Sequence, residues 1–420
     1  MTPGPDSNGI DGGTKDAQGD LMEAALWDAT LSDRVEMVLR RTAADSYRAA
    51  SADGSVEFRR AAQENKFSYE RVATTGTDPL ADQSTDRFLG LDNEASEMLP
   101  ARSRNAYPHA FDSIAQFFDA PHAPDLVGLH TAAHNYGHDG QHGSLAAVQA
   151  RAPFMASGAG IHSLGAVDGA TRVINIAPTI AAALGVEPRP HAVGPTGVPR
   201  PEALLARQDG DVEEGILDGT VAKHAVVFLL DGCNANLLAD VIASGEAPNL
   251  AAITRRGTTF THGAVSSLPT ATLANHTSAL TGAHPGHSGI LHNAWIDSAT
   301  TEAVDLLELD QMFHAMVHLS SEVETLFQAV KRSRPDSFNS ASFEFCDTGA
   351  DFSTFGLARD GDASGLPPLD EVSHLDADGC ANDSYGFMSR VDHLSMTHTI
   401  ECWNRAHGNP LPTLSWCSLA

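Results

Sequence analysis

Basic residues are scarce. The chain carries 26 Lys and Arg against 54 Asp and Glu, a formal net charge of −28. An acidic balance of this size argues against nucleic acid as a bulk partner. It also repels small anions unless cations or local bases offset it. Cysteine is sparse too: Cys233, Cys346, Cys380, Cys402 and Cys417 are widely spaced, with no C-x-x-C pair. That spacing suggests neither a zinc knuckle nor a disulfide framework. No apolar run reaches the length that spans a bilayer. The opening MTPGPDSNGIDGGTKDAQGD has no basic region followed by an apolar core, so it reads as no secretory signal. The expectation is a cytoplasmic protein with no membrane partner. What is present is chain enough, 420 residues at 42% hydrophobic, for one large core or two domains.

The chemistry concentrates between Ala225 and Asn293. The run AVVFLL stops abruptly at Asp231-Gly232. Six apolar residues closed by an acid and a glycine predict a strand buried on both faces, with a carboxylate at its carboxyl end. Ligands sit at that end in open α/β sheets. Further on, just past Pro269, Thr272 stands at the start of a predicted helix, where unpaired N–H groups favour an anion. Each feature also has an ordinary reading. An Asp after a strand is as often a cap or turn residue. A Thr opening a helix is more often a plain N-cap than a nucleophile.

Taken together, the residues resemble a known family. TATLANHTSALTGAHPGHSGILHN is similar to the nucleophile segment of the type I phosphodiesterase/nucleotide pyrophosphatase branch of the alkaline phosphatase superfamily. Thr272, Asn275-His276, Thr281-Gly282, Ser288-Gly289-Ile290 (one position altered) and Asn293 stand at the matching positions. A second stretch resembles the same superfamily's carboxyl-terminal part. It holds HGSL with His142, then APFMASGAG, then INIAPTIAAALGV. By that match His142 is a metal-ligand candidate, while His134 and His138 of the same histidine-rich loop stay unassigned. The ordinary reading of that loop is a solvent-exposed turn. Because His142 precedes Asp231 and Thr272, the order looks circularly permuted.

The resemblance implies an α/β fold with an alkaline-phosphatase-like, mainly parallel central sheet between helices and a smaller cap region. It implies a metal-dependent hydrolase of phosphodiester or pyrophosphate bonds acting on a small-molecule phosphoester through a threonine nucleophile. Asp231 and Thr272 would touch one divalent ion and His142 a second. Asn293 would hydrogen-bond a phosphoryl oxygen. Such ligands suit zinc, or manganese. The family's Asp-x-x-x-His and Asp-His motifs are absent in matching context, and Asp392-His393 with His398 reads as a helix surface. A truncated or inactive relative that binds a metal or phosphate compound is therefore the alternative. Phosphonate or other phosphoester hydrolysis is another, whereas the C/S-x-P-x-R setting of a sulfatase is missing.

Along the chain, residues 1–20 read as a disordered tail and 21–105 as a helical and loop-rich cap or insertion. Within it Leu21 to Glu64 is predicted helical, with Val35, Val38 and Leu39 on one face and Arg40 and Arg41 solvated. Residues 106–190 form the permuted half. They hold a short helix with Phe111, Ile114, Phe117 and Phe118 inward, a strand Asp125 to His130, a strand at RAPFMASG, and a strand leading to a helix from Pro178 to Gly185. Residues 191–222 are rich in Pro, Gly and acids and read as a linker. Residues 223–420 form the nucleophile half with a cap segment. Its later elements are a helix in SSEVETLFQAVKRSRPD, a strand in SFNSASFEFC, a long helix ending near Gly408 and a strand in LPTLSWCSLA.

Overall fold

A computed structural model describes residues 12–28, 31–90, 105–131, 142–297, 300–361 and 382–420. His134, His138 and Cys380 lie outside the described residues.

The amino-terminal part departs from the helical expectation. Helix α1 spans Gly12–Leu26, so it takes up half of the stretch expected to be a tail. Four strands follow: β1 (Val35–Ala43), β2 (Ser46–Ser51), β3 (Gly54–Gln63) and β4 (Lys66–Gly76). They pair antiparallel in sequence order, and β5 (Leu126–His130) adds to the free edge of β1. Each connection between β1 and β4 is a two-residue turn, the commonest hairpin geometry. Asp45 and Glu64 take left-handed backbone conformations in two of them. Arg40 and Arg41 are not solvated. Arg40 is buried and pairs with Asp20 and Glu23 of α1, while Arg41 donates to the Phe118 carbonyl. Helix α2 (Ala110–Phe117) lays Phe111, Ile114 and Phe117 on this sheet, with Phe118 just beyond its end. Phe58 and Phe111 stack with centroids 4.4 Å apart.

The second core surrounds a four-stranded parallel sheet. In sheet order its strands are β6 (Ala225–Leu230), β9 (Leu414–Leu419), β7 (Asn339–Ser342) and β8 (Phe352–Ser353). Parallel pairing aligns Leu230 with Leu419 and Asn339 with Leu414. β6 is an edge strand, which overturns the expectation of burial on both faces. Val226 and Phe228 on its outer side are 41% and 49% exposed. Four further helices matter for the site: α3 (Ile176–Ala183), α4 (Thr272–Thr281), α5 (Leu326–Ser333) and α6 (Asn382–Trp403). α6 lies along β7 and β9: Ser395 donates to the Ser418 carbonyl at 2.6 Å and Thr399 to the Ser342 hydroxyl at 2.8 Å. Asp392 accepts from the Ala420 N–H, and His398 bonds Thr354, so both serve packing.

Residues 151–184 and 264–346 share this core. Val173, Ala177, Ala181 and Leu184 pack with Leu273, Leu280, Leu326 and Trp416. Short strands stitch the segments together, Arg151–Ala152 and Thr171–Arg172 flanking Ala264–Val265. RAPFMASG gives two short strands rather than one, Arg151–Ala152 and Met155–Ala156. Residues 191–222 have little regular structure yet bury Ala192, Ala203, Leu205, Asp209 and Ile216. The whole is a mixed α/β fold compatible with an alkaline-phosphatase-like core.

Candidate active site

The parallel sheet ends where the sequence places Asp231. Its N–H continues the ladder to the Leu419 carbonyl at 2.7 Å. Its Oδ1 accepts from the Gly232 N–H at 2.8 Å. Gly232 has φ +65°, the left-handed value that lets the chain leave the sheet at once.

Helix α4 brings the other residues to this end. Its N-cap is Ala271, in extended conformation, with no side-chain capping bond. Thr272 is therefore the first helical residue and not the cap. Its hydroxyl makes no hydrogen bond to the described residues. Asn275 holds the preceding loop. Its Oδ1 accepts from the Ser267 N–H at 2.8 Å, and its Nδ2 donates to the Pro269 carbonyl at 2.8 Å. Asn293 Oδ1 accepts from the Leu273 N–H at 3.0 Å, which ties it to the first turn and leaves its Nδ2 without a protein acceptor among the described residues. The Thr270 hydroxyl accepts from the Gly143 N–H at 2.8 Å and donates to the Ser144 carbonyl at 3.0 Å. The His142 segment is thus pinned beside the Thr272 loop, and the His142 side chain is exposed. Burial and the neighbouring His142 both hold the His292 imidazole below its usual range.

One residue of the matched segment carries no assigned role in the sequence reading. His276, one turn after Thr272, is buried between two carboxylates. Its Nδ1 lies 3.3 Å from Glu344 Oε2 and its Nε2 lies 3.9 Å from Asp231 Oδ2. Burial pushes this imidazole down, but Glu344 and then Asp231 outweigh it, so its pKa is raised. Nε2 is buried without a hydrogen-bond partner. Glu344 is itself fully buried, just past β7, and accepts from the Ser418 hydroxyl at 3.0 Å. Its only trace in the sequence is an acid inside the apolar Phe343–Phe345 run.

A second polar cluster lies beyond the other end of α4. The imidazole of His287 bridges Asp209 at 2.6 Å and Asp119 at 3.0 Å. Burial lowers its pKa, but the two carboxylates win and raise it to about 9. His284 is buried and stays below its usual range, chiefly through burial. It contacts Ser267, Arg172 and Asp112.

Asp231 and the orphaned Nε2 of His276 face one another, and His142 is held nearby by its backbone. Yet among the described residues no group of three or more His, Cys, Asp or Glu side chains is arranged to hold a metal ion. The described residues do not complete a two-ion site.

A carboxylate at a parallel strand's end thus lies near a helix whose first residue, Thr272, has a hydroxyl with no partner among the described residues. Residues 225–378 match the family model for type I phosphodiesterase / nucleotide pyrophosphatase. A domain of this family supports phosphoester hydrolase activity. No solved structure matches the chain. No helix among the described residues is long and apolar enough to cross a membrane.

Proposed function

We propose that the chain hydrolyses phosphodiester or pyrophosphate bonds of small molecules, with Thr272 as the nucleophile. The observation that carries this reading is the uncommitted Thr272 hydroxyl at the first turn of α4. The Thr272 and Ala274 N–H groups there bond no protein acceptor among the described residues. They point, with the helix dipole, at the space an anion would fill. Thr272 Oγ attacks phosphorus and displaces the alcohol or phosphate leaving group. Its proton passes to a base, and Asp231 is the carboxylate at this end of the sheet, 3.9 Å from His276 Nε2. Water then cleaves the phosphothreonine and returns the free hydroxyl. Asn293 Nδ2 and the helix N–H groups hold the non-bridging oxygens, the charge that such a reaction must offset.

Enzymes of this family are typically metal-dependent, and a Lewis acid would supply the remaining charge neutralisation. Asp231, Thr272 and His142 are the residues that would hold divalent ions, zinc or manganese. The incomplete ligand set among the described residues supports a second reading, a relative that binds a phosphate compound without turning it over.

Hydrolysis of bis-p-nitrophenyl phosphate separates the two. With zinc or manganese supplied, wild type releases nitrophenol, and Thr272→Ala lowers the rate by at least roughly a thousandfold with its fold intact by circular dichroism. Equal rates would remove Thr272 from its role. No turnover by wild type would leave the binding reading.

A further inference from the structure

We propose that the cavity between β4, the start of α2 and residues 195–211 is a second ligand site, shaped for a small organic anion with a planar apolar body. It has a volume of about 440 Å³, within the usual span of ligand pockets. It is separate from the Thr272 end. His284, which lines it, follows the last turn of α4, whereas Thr272 opens that helix. Ten residues of α-helix put about 15 Å between those ends.

The case rests on which polar groups in the cavity are already satisfied. Its acids are all engaged. Asp112 accepts from Tyr69 at 2.6 Å and from Arg172 at 2.6 Å. Asp209 is bonded by the His284 N–H and by His287. Asp211 and Glu202 both pair with Arg200. The uncommitted groups are donors. Arg172 uses only Nη2 in its bonds to the described residues, which leaves Nε and Nη1 to give. Lys66 is exposed and has no ion pair among the described residues.

His109 is the third such group. Its imidazole has no hydrogen-bond partner among the described residues, and it holds φ +54° at the N-cap of α2. A left-handed conformation is uncommon for a residue with a side chain and tends to persist where function fixes it. Burial, then Arg172, lowers its pKa to about 4, so near neutral pH it is an uncharged imidazole with one N–H to donate.

Donors without acceptors fit an acceptor-rich ligand. Phe67 and Phe111 supply an apolar wall, each with a guanidinium on its ring: Arg60 at 4.3 Å and Arg71 at 5.0 Å. Most of this acidic molecule repels anions, yet here the acids are paired, while Lys66 and two nitrogens of Arg172 have no partner among the described residues.

Calorimetric titration of the full chain with phenyl phosphate tests the site, with inorganic phosphate and benzoate as separate probes of head group and ring. The expected result is saturable binding of phenyl phosphate, tighter than inorganic phosphate. It should weaken at least tenfold in Lys66→Glu and again in Arg172→Gln, and be unchanged in Thr272→Ala. Stronger binding of benzoate than of phenyl phosphate would identify the head group as a carboxylate and still support the site. Lys66 is at the surface, so its variant keeps the fold even if removing Arg172 from Asp112 does not. No binding by wild type would overturn the proposal. So would equal affinity in Lys66→Glu, or loss in Thr272→Ala alone, which would place the probe at the other end of α4. Turnover of bis-p-nitrophenyl phosphate by Lys66→Glu reports on the Thr272 reading separately.

Discussion

Thr272 owes its freedom to Ala271. A Ser, Asp or Asn at the N-cap would place its side-chain oxygen over the first N–H groups. Alanine cannot, so the Thr272 and Ala274 N–H groups bond no acceptor among the described residues and face the space beside the Thr272 hydroxyl. Asn275 and Asn293 then fix the loop and the first turn from either side. Below them, His276 is wedged between Glu344 and Asp231, and Glu344 is the larger of the two influences that raise its pKa. Glu344→Gln keeps the volume and removes the charge. Losing the carboxylate weakens its 3.3 Å contact with His276 Nδ1, at a cost of roughly 1–3 kcal/mol. We expect a lower urea midpoint with an unchanged slope. A midpoint equal to wild type would mean that Glu344 carries no such load.

At the scale of elements, the His287 bridge joins pieces distant in sequence. Asp119 follows α2, Asp209 belongs to the irregular 191–222 segment, and His287 lies just past α4. The groups facing the imidazole are Asp209, Asp119, Arg207 and, ring to ring, His284. Its folded pKa of about 9 is above the unfolded value near 6.5. The stabilisation is therefore fully present below about pH 6.5 and is lost as pH rises through about 9. Over that window it amounts to roughly 3 kcal/mol. Urea unfolding of wild type between pH 6.5 and 9.5 should show this decline, and His287→Asn should flatten it. A variant with the same slope would show that another group titrates.

The same scale explains what the sequence conveyed and what it hid. Phe111, Ile114, Phe117 and Phe118 were legible because one short helix buries them. β1 to β4 were hidden by their alanines and arginines, which suit helix as well as strand. The regular two-residue turns, including Asp53 before Gly54, are the signal that decides for a meander. The Asp231 and Thr272 elements were legible because each is a local event, a strand that stops and a helix that starts. Glu344 and Asp209 were not, because their roles arise only when segments distant in the chain pack together. The exposure of β6 was hidden for the same reason: a run of apolar residues does not say whether a neighbouring strand covers its second side.

For the whole molecule, charge sets the problem that catalysis must solve. A net charge of −28 opposes the approach of any phosphoester, and the strand ends add Asp231 and Glu344 to that field. Two local arrangements act against it, the open N-terminus of α4 and the imidazole of His276, whose pKa is raised. A divalent ion held by Asp231 would be a third. Zinc content after dialysis against equal zinc, measured by atomic absorption, asks whether it is used. Asp231→Asn should retain less zinc than wild type, because an amide is a weaker ligand than a carboxylate. Equal content in both would take Asp231 out of the ligand set. A chelator should abolish turnover of bis-p-nitrophenyl phosphate and added zinc restore it. Turnover that survives the chelator would leave the helix N-terminus and His276 as the groups that offset the transition-state charge.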